Sequence, residues 1–208
     1  MKKGMKPIPF NDEMVRATLD NQKRCTRQVV KPQPRTVYHD GKLYQEDECL
    51  FLLAENHDGC LEQIVSPYRP GDILYVRETW CLNNFGWHYR ADWSGDNCSD
   101  MGADDKWHSP ICMPKEAARL FLWVTDVRAE RLQDIDADGI RAEGIASLAA
   151  HAGDMEIARQ EFAIRWDKTV PRHPNKFKRY PYYWDDNPWV WVIEFERISK
   201  EAALEGGC

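Results

Sequence analysis

The stretch Leu19-Asp-Asn-Gln-Lys-Arg-Cys-Thr-Arg-Gln28 joins a helical pattern to the apolar pair Val29-Val30. It reads as a helix-to-strand junction that gathers Lys23, Arg24, Thr26 and Arg27. Fixed cations and one hydroxyl beside ordered backbone suit a phosphate, a nucleobase carbonyl or a carboxylate. The competing reading is a solvated basic turn, the usual meaning of a surface charge run. Upstream, the two prolines of Lys6-Pro-Ile-Pro-Phe10 require extended backbone. Asn11 is a capping residue, Asp12 and Glu13 favour a first helical turn, and Met14, Val15 and Leu19 supply an apolar side. The helix is expected to run to about Asp20, with Asn21 left-handed behind it. Downstream, a short strand is expected over Gln28 to Lys31, stopped by Pro32 and Pro34.

Beyond the prolines, Asp40-Gly41 and Asp58-Gly59 each sit between strand-like runs. Both are two-residue hairpin signals, and they predict an insertion of antiparallel strands over about 35–65. Asp72-Ile-Leu-Tyr-Val-Arg-Glu-Thr-Trp80 alternates as a strand should, and places Arg77 and Glu78 on opposite faces near its end. Residues 87–91 read as another strand, and about 94–108 as a mobile loop. Residues 114–118 fit a single helical turn, and 119–131 a long strand bent by a bulge. Helices are expected over 136–145 and from an Asp154 cap through about Lys168, the second with Ile157, Phe162 and Trp166 on its apolar side. A Pro-, Arg- and Tyr-rich loop covers 169–187, the last strand 187–198, and a frayed tail 199–208. Strands dominate, with single helices between some of them. That argues for one α+β domain over 1–198 built on a small, partly closed mixed β-barrel with flanking helices and hairpin insertions, with a β-sandwich as the competitor.

Composition narrows the function classes. The 208 residues carry a net charge of −6, which argues against broad, non-specific binding of nucleic acid. The charge is uneven: residues 1–35 hold nine Lys/Arg against three Asp/Glu, and residues 165–180 hold six against one. A basic face is therefore possible on an acidic molecule. No apolar run reaches membrane-spanning length, and Lys2, Lys3 and Lys6 lead into no apolar segment of a signal peptide, so no membrane partner is expected and the cytoplasm is the expected location. The seven cysteines form no Cys-x-x-Cys pair. Cys81, Cys98, Cys112, His88 and His108 match no standard metal spacing, so neither metal nor cofactor is expected.

Four blocks together resemble the ASCH-domain proteins, and more narrowly those encoded by tailed phages and prophages. They are residues 14–31, Pro70-Gly-Asp-Ile-Leu-Tyr-Val-Arg-Glu-Thr-Trp80, Gln133 to Ile145 and Asn187-Pro-Trp-Val-Trp-Val through Ile198. The resemblance implies a PUA-like barrel in a bacterial host's cytoplasm that binds RNA, single-stranded nucleic acid or a modified nucleobase. Asn21 stands where the family turn usually has Gly, and Lys23, Thr26 and Arg27 fill its other positions. In the binding reading, Lys23, Arg24, Arg27, Arg77, Glu78 and Arg90 contact base or phosphate, while Trp80 and Tyr89 stack. The bland readings stand beside it: Glu78 pairing with Arg77 or Arg90, and Trp80 and Tyr89 as core rings. One small ASCH enzyme is an N4-acetylcytidine amidohydrolase that uses a Lys, a Thr and a Glu. The matching positions are Lys23, Thr26 and Glu143, which implies Thr26 as nucleophile, Lys23 as base and Glu143 as proton relay. A third reading is a phage accessory or assembly protein that binds another protein.

Overall fold

Two long neighbouring strands carry the architecture. In the computed structural model, which describes residues 4–46, 49–93, 106–145, 154–175 and 177–206, β10 (Phe121–Arg131) runs antiparallel to β11 (Trp189–Ile198). Their register runs from Phe121 opposite Ile198 to Arg131 opposite Trp189, and it shifts between Val124 and Asp126. This is the expected bulge, and it bends the pair. On one side of β10 lies β7 (Ile73–Arg77), followed by β1 (Lys6–Pro9) in parallel. On the other side of β11 lies β2 (Cys25–Val29). The sheet order is therefore β1-β7-β10-β11-β2.

Among the described residues β1 and β2 do not pair, so this sheet is open and the expected barrel is not closed. Pro7 and Pro9 give the β1 edge no N–H at two of its four positions, which suits an edge strand. The broader expectation of an α+β fold holds.

Alternation along β11 sorts the core into two layers. Trp191, Ile193 and Phe195 face a cluster with Ile8, Phe10 and Val15, while Val190 and Val192 face Cys25, Ile140 and Phe162. The first layer is covered by α1 (Asp12–Leu19), the second by α2 (Ala137–Ala142) and α3 (Met155–Thr169). Each helix starts on a side-chain cap: Asn11, Asp136 and Asp154 accept from Met14, Gly139 and Ile157 N–H respectively. In α3 the buried spacing is Ala158, Phe162 and Trp166. Ile157, expected on that side, is 48% exposed, because the i, i+4, i+8 row one residue further along faces the sheet.

The insertion follows one of its two hairpin signals. β5 (Cys49–Glu55) and β6 (Leu61–Val65) pair across Asp58-Gly59, with Asn56 Oδ1 accepting from Asp58 and Cys60 N–H. Asp40-Gly41 makes no hairpin. β3 (Thr36–Val37) and β4 (Leu43–Glu46) both pair with β5, which β6 already covers on its other edge. They therefore lie end to end, joined by a turn with positive φ at His39, Asp40 and Gly41. The dipeptide marks left-handed backbone correctly, but the chain uses it to step over Leu53 rather than to reverse.

Two further boundaries differ from expectation. The strand over Asp72–Trp80 stops at Arg77, and β8 (Trp80–Asn83) pairs separately with β9 (Gly86–Tyr89). Most of the expected frayed tail is helical: α4 (Lys200–Gly206) buries Ala203 against Ile73, Tyr75 and Phe121, and residues 207–208 lie outside the described residues. Ser199 Oγ accepts from Ala202 N–H, and the Lys-Glu-Ala-Ala-Leu-Glu run is made of strong helix formers. Most of the expected mobile loop lies outside the described residues, while His108 at its end bridges Trp80. No helix among the described residues is long and apolar enough to cross a membrane.

Candidate functional site

The turn after α1 delivers Lys23 to a buried carboxylate. Asn21 takes φ +56°, as expected of a residue behind a helix end, and the Gln22 and Lys23 N–H groups both bond Ala17 O. Lys23 then bridges Glu143, which directly follows α2. Its Nζ lies 2.5 Å from Glu143 Oε2 and 3.2 Å from Glu143 O, and 5.6 Å from the centre of the Phe10 ring. The Lys23 side chain is 0% exposed and that of Glu143 only 7%.

Arg27 enters from β2. Its Nη1 is 3.2 Å from Glu143 Oε1, and its Nε and Nη2 lie 3.0 and 2.7 Å from Glu130 Oε1. Burial opposes its charge, but Glu143, Cys25 and Glu130 outweigh that, and its pKa rises above the ordinary guanidinium value. Burial, with Glu143 nearby, pushes the Cys25 thiol up to about 12, so it stays protonated at neutral pH. Lys23, Arg27 and Glu143 line a cavity of about 90 Å³, with Met14, Phe162 and Trp166 as its apolar walls. Arg165 and Glu13, 2.8 Å apart, tie α3 to α1 beside it.

The strand expected over Gln28–Lys31 begins three residues earlier, at Cys25, and this separates neighbours that the sequence placed together. Arg27 pairs across with Val192 on the face covered by α2 and α3, whereas Thr26 pairs with Ile193 on the opposite face. Thr26 is buried and does not line the cavity that holds Lys23 and Glu143. Arg24 is exposed and lines a separate cleft with Arg128 and Glu194.

The remaining candidates form a second, structural cluster. Glu78 is 0% exposed and receives a two-pronged bond from Arg119, with Nε–Oε1 and Nη2–Oε2 both 2.8 Å. Its partner is thus Arg119, not Arg77 or Arg90, because the chain breaks at Glu78 and turns its carboxylate inward. Arg119 also bonds Asp92 at 2.7 Å and lies 4.0 Å over the Tyr89 ring, whose hydroxyl donates to Ala117 O. Glu78 and Tyr89 are therefore occupied in holding this corner together. Arg77 bonds Ile111 O and Tyr75, and exposed Arg90 lies 3.5 Å from Asp12. Trp80 packs between Trp87 and His108 at 5.3 and 4.8 Å.

Burial raises the Glu78 pKa from its ordinary 4.5, with Arg119 pulling the other way. A raised carboxyl contributes stability that is present below about 4.5 and lost as pH rises through the folded value. The stability advantage of wild type over Glu78→Gln should therefore shrink as pH rises above about 4.5 in urea titrations. A difference that grows with pH would contradict this assignment.

Glu130, Arg119, Phe162 and Trp166 were not singled out from the sequence as site residues. Glu130 lies one residue before the end of a strand whose alternation is broken by the bulge, and the two aromatics read only as an apolar helix side. No group of three or more metal-ligating side chains occurs among the described residues, and Cys98 lies outside them. Compared with known proteins, the chain matches no family model, no curated protein and no solved structure.

Proposed function

We propose that the chain is a PUA-like, ASCH-type module that binds a nucleobase, free or within RNA or single-stranded nucleic acid, in the cavity at Lys23 and Glu143. The observation that carries this reading is the pairing of an ammonium donor with a carboxylate acceptor at 2.5 Å, in a buried site open to a cavity with aromatic walls. A nucleobase edge offers a carbonyl or ring-nitrogen acceptor beside an amino donor, which such a pair satisfies in both directions. Phe162 and Trp166 supply the apolar remainder. Arg27, fixed by Glu130 and Glu143, holds the carboxylate in place.

The hydrolytic alternative needs Thr26 as nucleophile, and its place on the far face of β2 favours binding over turnover. The assembly alternative draws on the exposed apolar residues Leu82, Phe85 and Ile111, which lie away from this cavity. Titration of the protein with cytidine, N4-acetylcytidine, uridine and adenosine, followed by calorimetry, tests the reading. At least one nucleoside should bind saturably, and Lys23→Met should weaken it about tenfold or more while melting as a folded protein. No heat with any of the four would sink the proposal. Conversion of N4-acetylcytidine that disappears in Thr26→Val would replace binding with hydrolysis.

A further inference from the structure

A second cavity, of about 400 Å³, adjoins the first and shares Arg27, Trp166 and Thr169 with it. It occupies the open seam of the sheet: Pro9 comes from β1, Gln28 and Val29 from β2. Lys31 and Tyr182 line it too, and its lining contains two cations and no carboxylate. Arg27 is already matched by Glu143 and Glu130, and Lys31 is the exposed cation of this lining. Both cations come from the basic segment 1–35, while the segment 165–180 contributes the uncharged Trp166, Thr169, Val170 and Pro171.

A row of rings leads outward from this cavity. Lys31 Nζ lies 5.3 Å from the centre of the Tyr182 ring. Tyr180 stacks parallel to Tyr182 at 5.4 Å with 3° between the planes, and His173 lies 4.8 Å from Tyr180. Trp166 Nε1 donates to Tyr182 O at 2.8 Å, which fixes the row to α3. The sequence from Val170 to Tyr183 contains no Asp or Glu, and Arg172 and Lys178 are exposed along it.

From this juxtaposition we infer that the seam and the His173–Tyr180–Tyr182 row hold the nucleotides flanking the recognised base, so that the ligand is a single-stranded polynucleotide rather than a free nucleoside. The inference rests on the nucleobase reading of the adjoining cavity. Aromatic faces accept any base by stacking, and neighbouring cations accept the phosphates between bases. The division of labour follows from burial. Lys23 and Glu143 are enclosed and reach one base only, whereas Lys31 is exposed and can follow a backbone.

The test compares a 5′-labelled ten-nucleotide RNA, the DNA of the same sequence and the best-bound nucleoside, by anisotropy and calorimetry, in wild type, Tyr182→Leu and Lys31→Glu. The better of the two oligonucleotides should bind at least tenfold more tightly than the nucleoside. Tyr182→Leu should lose about tenfold of its affinity, as expected for one stacked base. Lys31→Glu should also weaken it and flatten its salt dependence by about 0.7 in log–log slope per lost phosphate contact. Both variants should keep the nucleoside affinity within about twofold. If Tyr182→Leu melts early, Lys31→Glu carries the test, because its side chain is exposed. A preference between the RNA and the DNA assigns a contact to the 2′-hydroxyl. Oligonucleotide and nucleoside affinities that are equal, or variants that bind the oligonucleotide like wild type, would overturn the groove and leave the base pocket standing. Oligonucleotide binding that responds to both variants, with no nucleoside binding, would keep the groove and remove the pocket. Absence of binding by every probe would remove both.

Discussion

Glu143→Ala is expected to destabilise the protein by about 3–5 kcal/mol, the usual cost of removing one partner from a buried ion pair. The reason lies with Lys23, whose side chain is fully enclosed. Without Glu143 Oε2, its ammonium keeps the Glu143 backbone carbonyl at 3.2 Å and the Phe10 ring at 5.6 Å. Neither carries a countercharge. Arg27 suffers less, because Glu130 still accepts two of its N–H groups. In a chain of 208 residues a loss of this size should lower the melting temperature by roughly 10 °C. The double variant Lys23→Met/Glu143→Leu separates charge from packing. Apolar replacement of a buried pair is often neutral or better, so the double variant should be more stable than Glu143→Ala alone. Urea melts of the three proteins check this. A single variant costing under about 1 kcal/mol would show that water reaches the pair in solution.

The pieces of this site differ in how far the sequence discloses them, and the difference follows from range. Asn11 and Asp154 act within three residues of themselves, so their capping is visible in the sequence and present in the structure. The alternation of β11 is equally local. The partner of Glu78 is 41 residues away and that of Lys23 is 120 residues away, and no periodicity reports either pairing. Glu143 is legible only through the family resemblance at matched positions, not through spacing. The start of β2 was missed for a related reason. Thr26, Arg27 and Gln28 look too polar for a buried strand, yet Arg27 is buried because Glu130 and Glu143 compensate it. Once the strand begins at Cys25, its period of two sends Thr26 and Arg27 to opposite faces, which a turn would not. Asp40-Gly41 shows the limit of a strong local signal: the dipeptide specifies backbone conformation, while the choice between reversing and stepping aside belongs to β5, which offers an edge to both β3 and β4.

Gly144→Ala should damage stability and binding together, because the glycine sets the distance between α1 and the end of α2. Its φ is +81°, a region that costs an ordinary L residue about 1–2 kcal/mol. A Cβ built there would lie 2.7 Å from the Ala17 Cβ, 2.9 Å from the Lys23 Cβ and 3.2 Å from the Lys23 Cα. None of these is the loose end of a side chain. Lys23 is held by its N–H bond to Ala17 O at 2.9 Å, and Arg24 N–H is bonded to Ala142 O at 2.7 Å, so the two segments are tied on both sides of the contact. Overpacking of this kind adds about 1–3 kcal/mol, for an expected total of about 2–5 kcal/mol. Relief requires Glu143 to move away from Lys23, so nucleoside affinity should fall even in the folded fraction. Gly41→Ala provides the contrast. Its φ is +80° and its Cβ would lie 2.7 Å from the Trp189 ring, a comparable strain at a residue outside the cavity lining. Gly41→Ala should therefore melt early yet bind as wild type below its transition, whereas Gly144→Ala should bind at least tenfold more weakly at the same temperature. Equal affinities for the two variants would mean that the spacing of Lys23 and Glu143 does not govern recognition.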